Sequence, residues 1–395
     1  MTLRGPFGPL RRFLLLYVLM YAAFGVASPF WPRFFESRGL SPEQLGLLFA
    51  AGTAVRLISG PIAGRIADRT QALRAVLAVF AAGAAAVALG LIPAEGFWVL
   101  LFISMCHAAA LAPVTTLADA LALGAATPRD GERKAFEYGW VRGAGSAAFI
   151  AGTLVAGQGV AASGLTSIIG LHVTLLALAA CAALLIPQPR QHIVVAPATE
   201  QSTPGSIRIL LQMAAFRRVL LMAALVLGSH AMHDSFAVIR WNAAGVGPAA
   251  ASLLWSESVA AEVVVFFFLG PLLLDRFGPA AAAALAALAG MLRWTVMALS
   301  SDVVALALVQ PLHGFTFALL HLACMRIIGA IVPPHLAATA QAIYALGAGA
   351  TTALLTLASG SLYAHLGASG FLVMALLCGL ALPVALVLRQ TTRKL

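Results

Sequence analysis

Residues 39–69 open on Gly39-Leu40-Ser41-Pro42, run through an apolar stretch that holds Arg56, and close on Asp68-Arg69. About half a chain later the pattern returns as Gly245-Val246-Gly247-Pro248, an apolar stretch holding Glu262, then Asp275-Arg276. Tyr138, followed by Gly143 and Gly145, is answered in the same way by Tyr344, Gly347 and Gly349. A repeat built of apolar spans, with opposite charges at matching positions inside them, is the pattern of a two-bundle secondary transporter.

Composition agrees. The chain has 395 residues, of which 61% are hydrophobic and 10% charged. A soluble domain carries about 25% charged residues, so there is too little polar surface here to cover a water-soluble globule. The bilayer is the expected solvent, and a helix needs about 20 apolar residues to cross it. The apolar runs divide into twelve spans, at 10–35, 42–67, 72–92, 97–126, 134–158, 163–187, 213–243, 248–274, 279–299, 301–331, 335–362 and 366–390. The expected fold class is therefore an all-α membrane protein with twelve transmembrane helices in two pseudo-symmetric six-helix bundles, 1–187 and 213–395. Between them, 188–212 is rich in Pro, Ser, Thr, Gln and Arg and is expected to be a cytoplasmic linker.

The net charge of +10 would suggest nucleic acid in a soluble protein, but here its placement matters more. Basic residues gather at Arg4, Arg11 and Arg12, at Arg65, Arg69 and Arg74, and at Arg129, Arg133 and Lys134. They return at Arg190, Arg208, Arg217 and Arg218, at Arg276, and at Arg389, Arg393 and Lys394. The intervening loops hold few beyond Arg33 and Arg38, which have Glu36 and Glu43 nearby. This alternation is the positive-inside pattern and puts both termini and the central loop in the cytoplasm. A bacterial inner membrane is the expected location, with no nucleic-acid partner. The basic start and apolar run look like a signal peptide, but the run continues through Phe30 and Trp31, so an uncleaved first span is expected. Cys106, Cys181, Cys324 and Cys378 lie inside spans without metal-ligand spacing and read as packing residues.

After span two, Gly64-Arg65-Ile66-Ala67-Asp68-Arg69, with Arg74 beyond, resembles the G-x-x-x-D-R signature of the major facilitator superfamily. Asp275-Arg276-Phe277-Gly278 repeats part of it after span eight. Tyr21 to Phe35, Phe136 to Arg142, Ala261 to Val263, Met291 to Trp294 and Leu312 to Phe317 resemble the lactose permease and phenylpropionate permease group. His321 to Arg326 is particularly similar to the 3-phenylpropionate permeases. The resemblance covers essentially the whole chain. It implies a proton-coupled importer of a small organic acid such as 3-phenylpropionate, working by alternating access.

An ionisable group inside a span costs about 2.5–3.5 kcal/mol, so each one needs a partner, water or a function. In the first bundle, Arg56, Asp119 and Arg142 are expected at similar depth. Asp119 can neutralise one arginine, and the other then suits a substrate carboxylate, which the planar guanidinium grips with two hydrogen bonds. Arg142 matches the position where the lactose permease group carries a substrate-binding arginine. The competing expectation is a static Asp119–Arg142 ion pair. Tyr138 and Trp255 complete the substrate-binding candidates, Trp255 as an aromatic wall together with Trp140.

In the second bundle the candidates are Asp234, Glu257, Glu262, Arg293, His313 and Arg326. A proton carrier needs an acid whose proton affinity changes with burial and with a nearby cation. Glu262 is the leading choice and Asp234 the second, with His313, Arg293 and Arg326 as coupling partners. Where lactose permease has a span-ten glutamate three residues after its histidine, this chain has Thr316, and in place of a second span-seven acid it has Ala237. The lactose-type proton path therefore does not carry across unchanged. His230 and His233 lack the companions of a tetrahedral metal site, and His107 and His172 read as satisfied packing residues. No metal and no cofactor are expected; the coupling ion would be the proton.

The loop motif, Gly64, Asp68 and Arg69 with Asp275 and Arg276, reads as a gate. Gly64 would allow close helix contact, and Asp68 would pair with a cation or helix N-terminus in one state. The glycines of spans five and eleven suit close helix packing.

The main rival function is an efflux antiporter of drugs or metabolites. Its relatives carry a G-P motif in span five, and residues 139–159 contain no proline. A non-transporting membrane sensor or scaffold would not need a charged central cavity, and no Ser/His/Asp, zinc or phosphate-loop arrangement supports an enzyme. The expected partners are a small carboxylate and the lipid bilayer, with the protein a monomer.

Overall fold

The computed structural model describes residues 8–127, 136–187 and 204–392. Arg4, Arg129, Arg133, Lys134, Arg190, Arg393, Lys394 and linker residues 188–203 lie outside the described residues.

The described chain is helical: α1 Pro9–Ala27, α2 Trp31–Ser37, α3 Pro42–Thr70, α4 Leu73–Leu89, α5 Phe97–Ala126, α6 Tyr138–Ser163 and α7 Ser167–Leu185. After α8 Pro204–Gln212 come α9 Ala214–Gly228, α10 His230–Ala243, α11 Pro248–Val264, α12 Gly270–Phe277, α13 Pro279–Leu299, α14 Val303–Val309, α15 Leu320–Ile331, α16 Ala337–Leu366 and α17 Gly370–Thr392. Ten stretches are long and apolar enough to cross a membrane; one of them, Pro334–Gln390, contains both α16 and α17, and α4 is a shorter apolar helix. Every predicted span thus falls on helix.

The structure corrects several boundaries. Span one is two helices, because Pro29 has no N–H to carry the helical ladder past Ala27. Span seven breaks at Ser229 between α9 and α10. Span five begins at Tyr138 and extends to Ser163, and part of the expected linker is helical as α8.

The repeated Gly-x-x-Pro has a local cause. Gly39 and Gly245 take φ of +83° and +86°, a left-handed conformation that ends a helix at little cost to glycine. Pro42 and Pro248 then occupy the first positions of α3 and α11, where a missing N–H is not needed. Arginines from neighbouring elements also close helix ends, since C-terminal carbonyls attract cations. Arg12 and Arg74 donate to Leu185 O and Ile186 O, each at 3.1 Å, and Arg38 donates to Ile92 O at 2.9 Å. Arg240 does the same for Met297 O and Ala298 O.

By contact the chain forms two units. The first holds Met1–Leu40, Ala51–Val195 and Gly247–Leu253. Its core packs Phe13, Leu16, Tyr17 and Met20 of α1 among Leu77, Val114, Val141 and Ala179. Where α1 crosses α6, a Cβ at Gly25 or Gly152 would run into the Phe149 or Ala22 backbone, and one at Gly145 would meet the Tyr21 ring at 2.9 Å. Thr153 Oγ1 donates to Gly25 O at 2.9 Å across this crossing. In the same unit Gly157 lies against Ser252 and Pro248 O.

The second unit holds Ser41–Ala50, Ala196–Val246 and Leu254–Leu395. In it α13 packs on α17, with Gly290 against Cys378. Gly360 of α16 lies against the first turn of α3, where a Cβ would come within 2.6 Å of Pro42 O. The buried Trp294 donates its indole N–H to Ser229 Oγ at 2.8 Å. All four cysteines are free; Cys324 and Cys378 are buried, whereas Cys181 is exposed rather than packed.

Candidate functional site

The second unit gathers most of its candidate charges around one guanidinium. Arg293, on α13, is 0% exposed. Its Nη1 donates to His313 Nδ1 at 3.1 Å, and its Nη2 donates to His233 Nε2 at 3.3 Å and to Gln310 Oε1 at 2.7 Å. Arginine has no acceptor, so both imidazole nitrogens facing it must be lone pairs. Each neutral ring then carries its hydrogen on the opposite nitrogen. For His233 that is Nδ1, which donates to Asp234 Oδ1 at 3.2 Å. For His313 it is Nε2, which faces Glu262 Oε2 at 3.5 Å. The result is a chain of five groups, Asp234–His233–Arg293–His313–Glu262, with one buried cation at the centre and a carboxylate at each end. Asp234 is 57% exposed and Glu262 31%, whereas the central arginine is fully buried.

The surrounding side chains hold the rings in place. Trp255 stacks on His233 with centroids 4.9 Å apart, and Phe317 stacks on His313 at 5.5 Å. Ser258 Oγ gives Gln310 Oε1 a second hydrogen bond at 2.9 Å. Thr316 is bonded to His230 Nε2 at 2.9 Å, so it supports a third ring in the cluster. Two π-helical turns, Val265–Leu269 and Phe315–Leu319, lie just beyond Glu262 and His313. They pack on one another through Gly314, where a Cβ would stand 2.6 Å from Ala261 O. Single π turns inside α-helices are frequent at functional sites.

Arg326 lies outside this cluster. It pairs with Asp275 of the loop motif at 2.6 Å, both side chains more than half exposed. Exposed pairs contribute about 0.2–1 kcal/mol, so Arg326→Ala is expected to change the unfolding midpoint little, as a thermal melt of the purified protein would show. Glu257 is partly buried, without an ion pair among the described residues.

In the first unit Asp119 accepts hydrogen bonds from Tyr17 at 2.5 Å and Tyr138 at 2.9 Å. Neither Arg142 nor Arg56 pairs with it among the described residues. Arg142 instead lies over the Tyr21 ring, 4.9 Å from its centroid. Arg56 is exposed. Trp255, grouped with these residues on sequence, belongs to the second unit, against His233. In the loop motif, Asp68, Arg69 and Arg276 are exposed. A Cβ at Gly64 would meet nothing within 4 Å among the described residues.

Tyr17, Gln310 and the linking role of His233 were not read from the sequence. Tyr17 sits on an apolar helix face like any core aromatic, and Gln310 carries no charge to flag it.

Charged clusters built inside the apolar spans of two repeated halves define a membrane transporter. The chain belongs to the MFS_1 like family, whose profile it matches over residues 10–373. It is 33% identical over 374 residues to the "Probable 3-phenylpropionic acid transporter" of Escherichia coli (strain K12), covering 91% of this chain and 93% of that one. It is 22% identical over 333 residues to the "Uncharacterized transporter YwbF" of Bacillus subtilis (strain 168), covering 83% and 80%. Its fold is similar to crystal structures of the nucleoside transporter NupG, with TM-scores of 0.83 for a variant and 0.76, at 16% identity over 96% of this chain and 98% of those. A bacterial homologue of the lysosomal transporter Spinster, inward-facing and unoccupied, matches with a TM-score of 0.73 at 16% identity, covering 98% of this chain and 97% of that one. The protein is therefore an integral membrane transporter of the major facilitator type and not an enzyme.

Proposed function

We propose that this transporter imports a small organic acid such as 3-phenylpropionate together with protons, across a bacterial inner membrane with both termini cytoplasmic. The observation that carries this reading is the five-group chain around Arg293. Each imidazole turns its only N–H toward a carboxylate and gives its only lone pair to the arginine. A proton arriving at Glu262 or Asp234 cancels the charge that the facing N–H points toward. An imidazole can itself accept a proton only after Arg293 lets go of its lone pair. Proton uptake at either end is thereby tied to movement of the central guanidinium. Glu262, on the helix that leads into a π turn, is the coupling acid, and Asp234 is the second.

The substrate carboxylate is assigned to Arg142, with Arg56 adding positive charge. Asp119 is already held by Tyr17 and Tyr138, and Arg142 has no carboxylate partner among the described residues to compete with the substrate. The 33% identity to a protein named for 3-phenylpropionic acid supports an aromatic acid as cargo. Gly64, Asp68 and Arg69, with Asp275 and Arg276, are assigned to gating. No cofactor enters the cycle, and the protein acts as a monomer.

Reconstituted protein should accumulate labelled 3-phenylpropionate when a proton gradient is directed inward. Glu262→Gln should lose gradient-driven accumulation yet keep exchange of internal for external substrate. Arg142→Ala should lose both. Efflux driven by the same gradient would instead identify an antiporter, and binding of other compounds without uptake of this one would remove the substrate assignment.

A further inference from the structure

We propose that His107 and His172 form a proton-binding site in the first unit, with one proton held between their Nε2 atoms. His107 lies on α5 and His172 on α7, exposed by 5% and 0%. His107 Nδ1 is 3.0 Å from Ala84 O, and His172 Nδ1 is 2.8 Å from Ala23 O. A carbonyl oxygen only accepts, so both Nδ1 atoms carry hydrogen. In a neutral ring the other nitrogen is then a lone pair. Yet the two Nε2 atoms face each other at 3.2 Å. Two lone pairs at that distance repel and leave two buried acceptors unsatisfied. One added proton turns the contact into an N–H···N hydrogen bond of ordinary length and satisfies both rings.

The surroundings favour a charge spread over the pair. Both Nδ1–H groups point at carbonyl oxygens, the negative ends of backbone dipoles. Trp31 of α2 stands edge-to-face with both rings, its centroid 5.6 Å from His172 and 6.0 Å from His107. Beyond Trp31 on the same helix, Arg33 and Glu36 are paired with each other at 2.5 Å. From α3, the Arg56 guanidinium acts on His107 as a like charge. The two carbonyls and the relief of lone-pair repulsion hold the added proton against the like charge of Arg56. The hydrogen bonds that α1 and α4 make to the pair come from the Ala23 and Ala84 carbonyls. A site here is separate from the chain around Arg293, so the transporter can hold a proton in its first unit as well as its second.

The test is nitrogen NMR of the full chain labelled with 15N-histidine in detergent, titrated over about pH 5–8, the interval in which imidazoles change charge. The expected result is that two of the nine histidines shift together in one single-proton step, with a scalar coupling across the N–H···N bond. That coupling identifies the pair in the parent protein even if a variant fails to fold. His107→Gln and His172→Gln should each abolish the step and the coupling in the remaining ring. Two rings titrating independently would overturn the proposal, as would two neutral rings throughout, one in the Nε2–H form.

Discussion

Arg293→Met is expected to destabilise the protein by about 3–5 kcal/mol, the usual cost of removing one member of a buried charge cluster, and to abolish proton-driven uptake. Methionine fills much of the same volume, so lost packing is not the main term. The loss is electrostatic and polar. His313 Nδ1 and His233 Nε2 lose their donor inside the unit, and Gln310 Oε1 keeps only that of Ser258. Asp234 and Glu262 keep their charges with no cation between them. Arg293→Lys should recover only part of the loss, because an ammonium is a compact point charge and cannot repeat the guanidinium fork. Chemical unfolding in detergent, read beside proteoliposome uptake, separates the two effects. If Arg293→Met unfolds like the parent, water already satisfies these acceptors, and the chain of five groups is not what holds the rings.

Hydropathy and charge placement made the spans legible because lipid imposes a length and a polarity on every helix that crosses it. What they did not reveal was where a span breaks. Pro29 and the Gly228-Ser229 pair stand in plain view, yet both lie inside apolar runs that read as continuous. The π turns beyond Glu262 and His313 were invisible for a different reason. They accompany the contact between Gly314 and Ala261, residues far apart in sequence. The charged candidates were legible through their cost in a bilayer, which is a property of each residue alone. Their partners were not. Asp119 can be satisfied by an arginine or by hydroxyls, and only the fold places Tyr17 and Tyr138 beside it. Arg326 carries the same charge as Arg293, yet it sits on an exposed part of α15 and meets Asp275. His107 and His172 read as satisfied packing because composition cannot show two imidazoles facing each other through the same nitrogen.

The helix crossing of the first unit offers a prediction in which two glycines of one helix respond with opposite sign. Gly152→Ala on α6 is expected to destabilise strongly, at the upper end of the about 1–3 kcal/mol seen for overpacked cores or beyond it. The added methyl would overlap the Ala22 backbone of α1, which cannot rotate away as a side chain can. The helices would have to separate, stretching the Thr153–Gly25 hydrogen bond and opening the packing that holds α1. Gly143→Ala, nine residues earlier on the same helix, adds its methyl where nothing lies within 4 Å. There the substitution removes backbone freedom from the unfolded chain without strain and should stabilise by about 0.4–1 kcal/mol. Thermal unfolding of the two variants beside the parent reads the difference directly. Equal effects of one sign would mean that α1 and α6 are not in close contact, and that the glycines of span five serve the helix rather than the crossing.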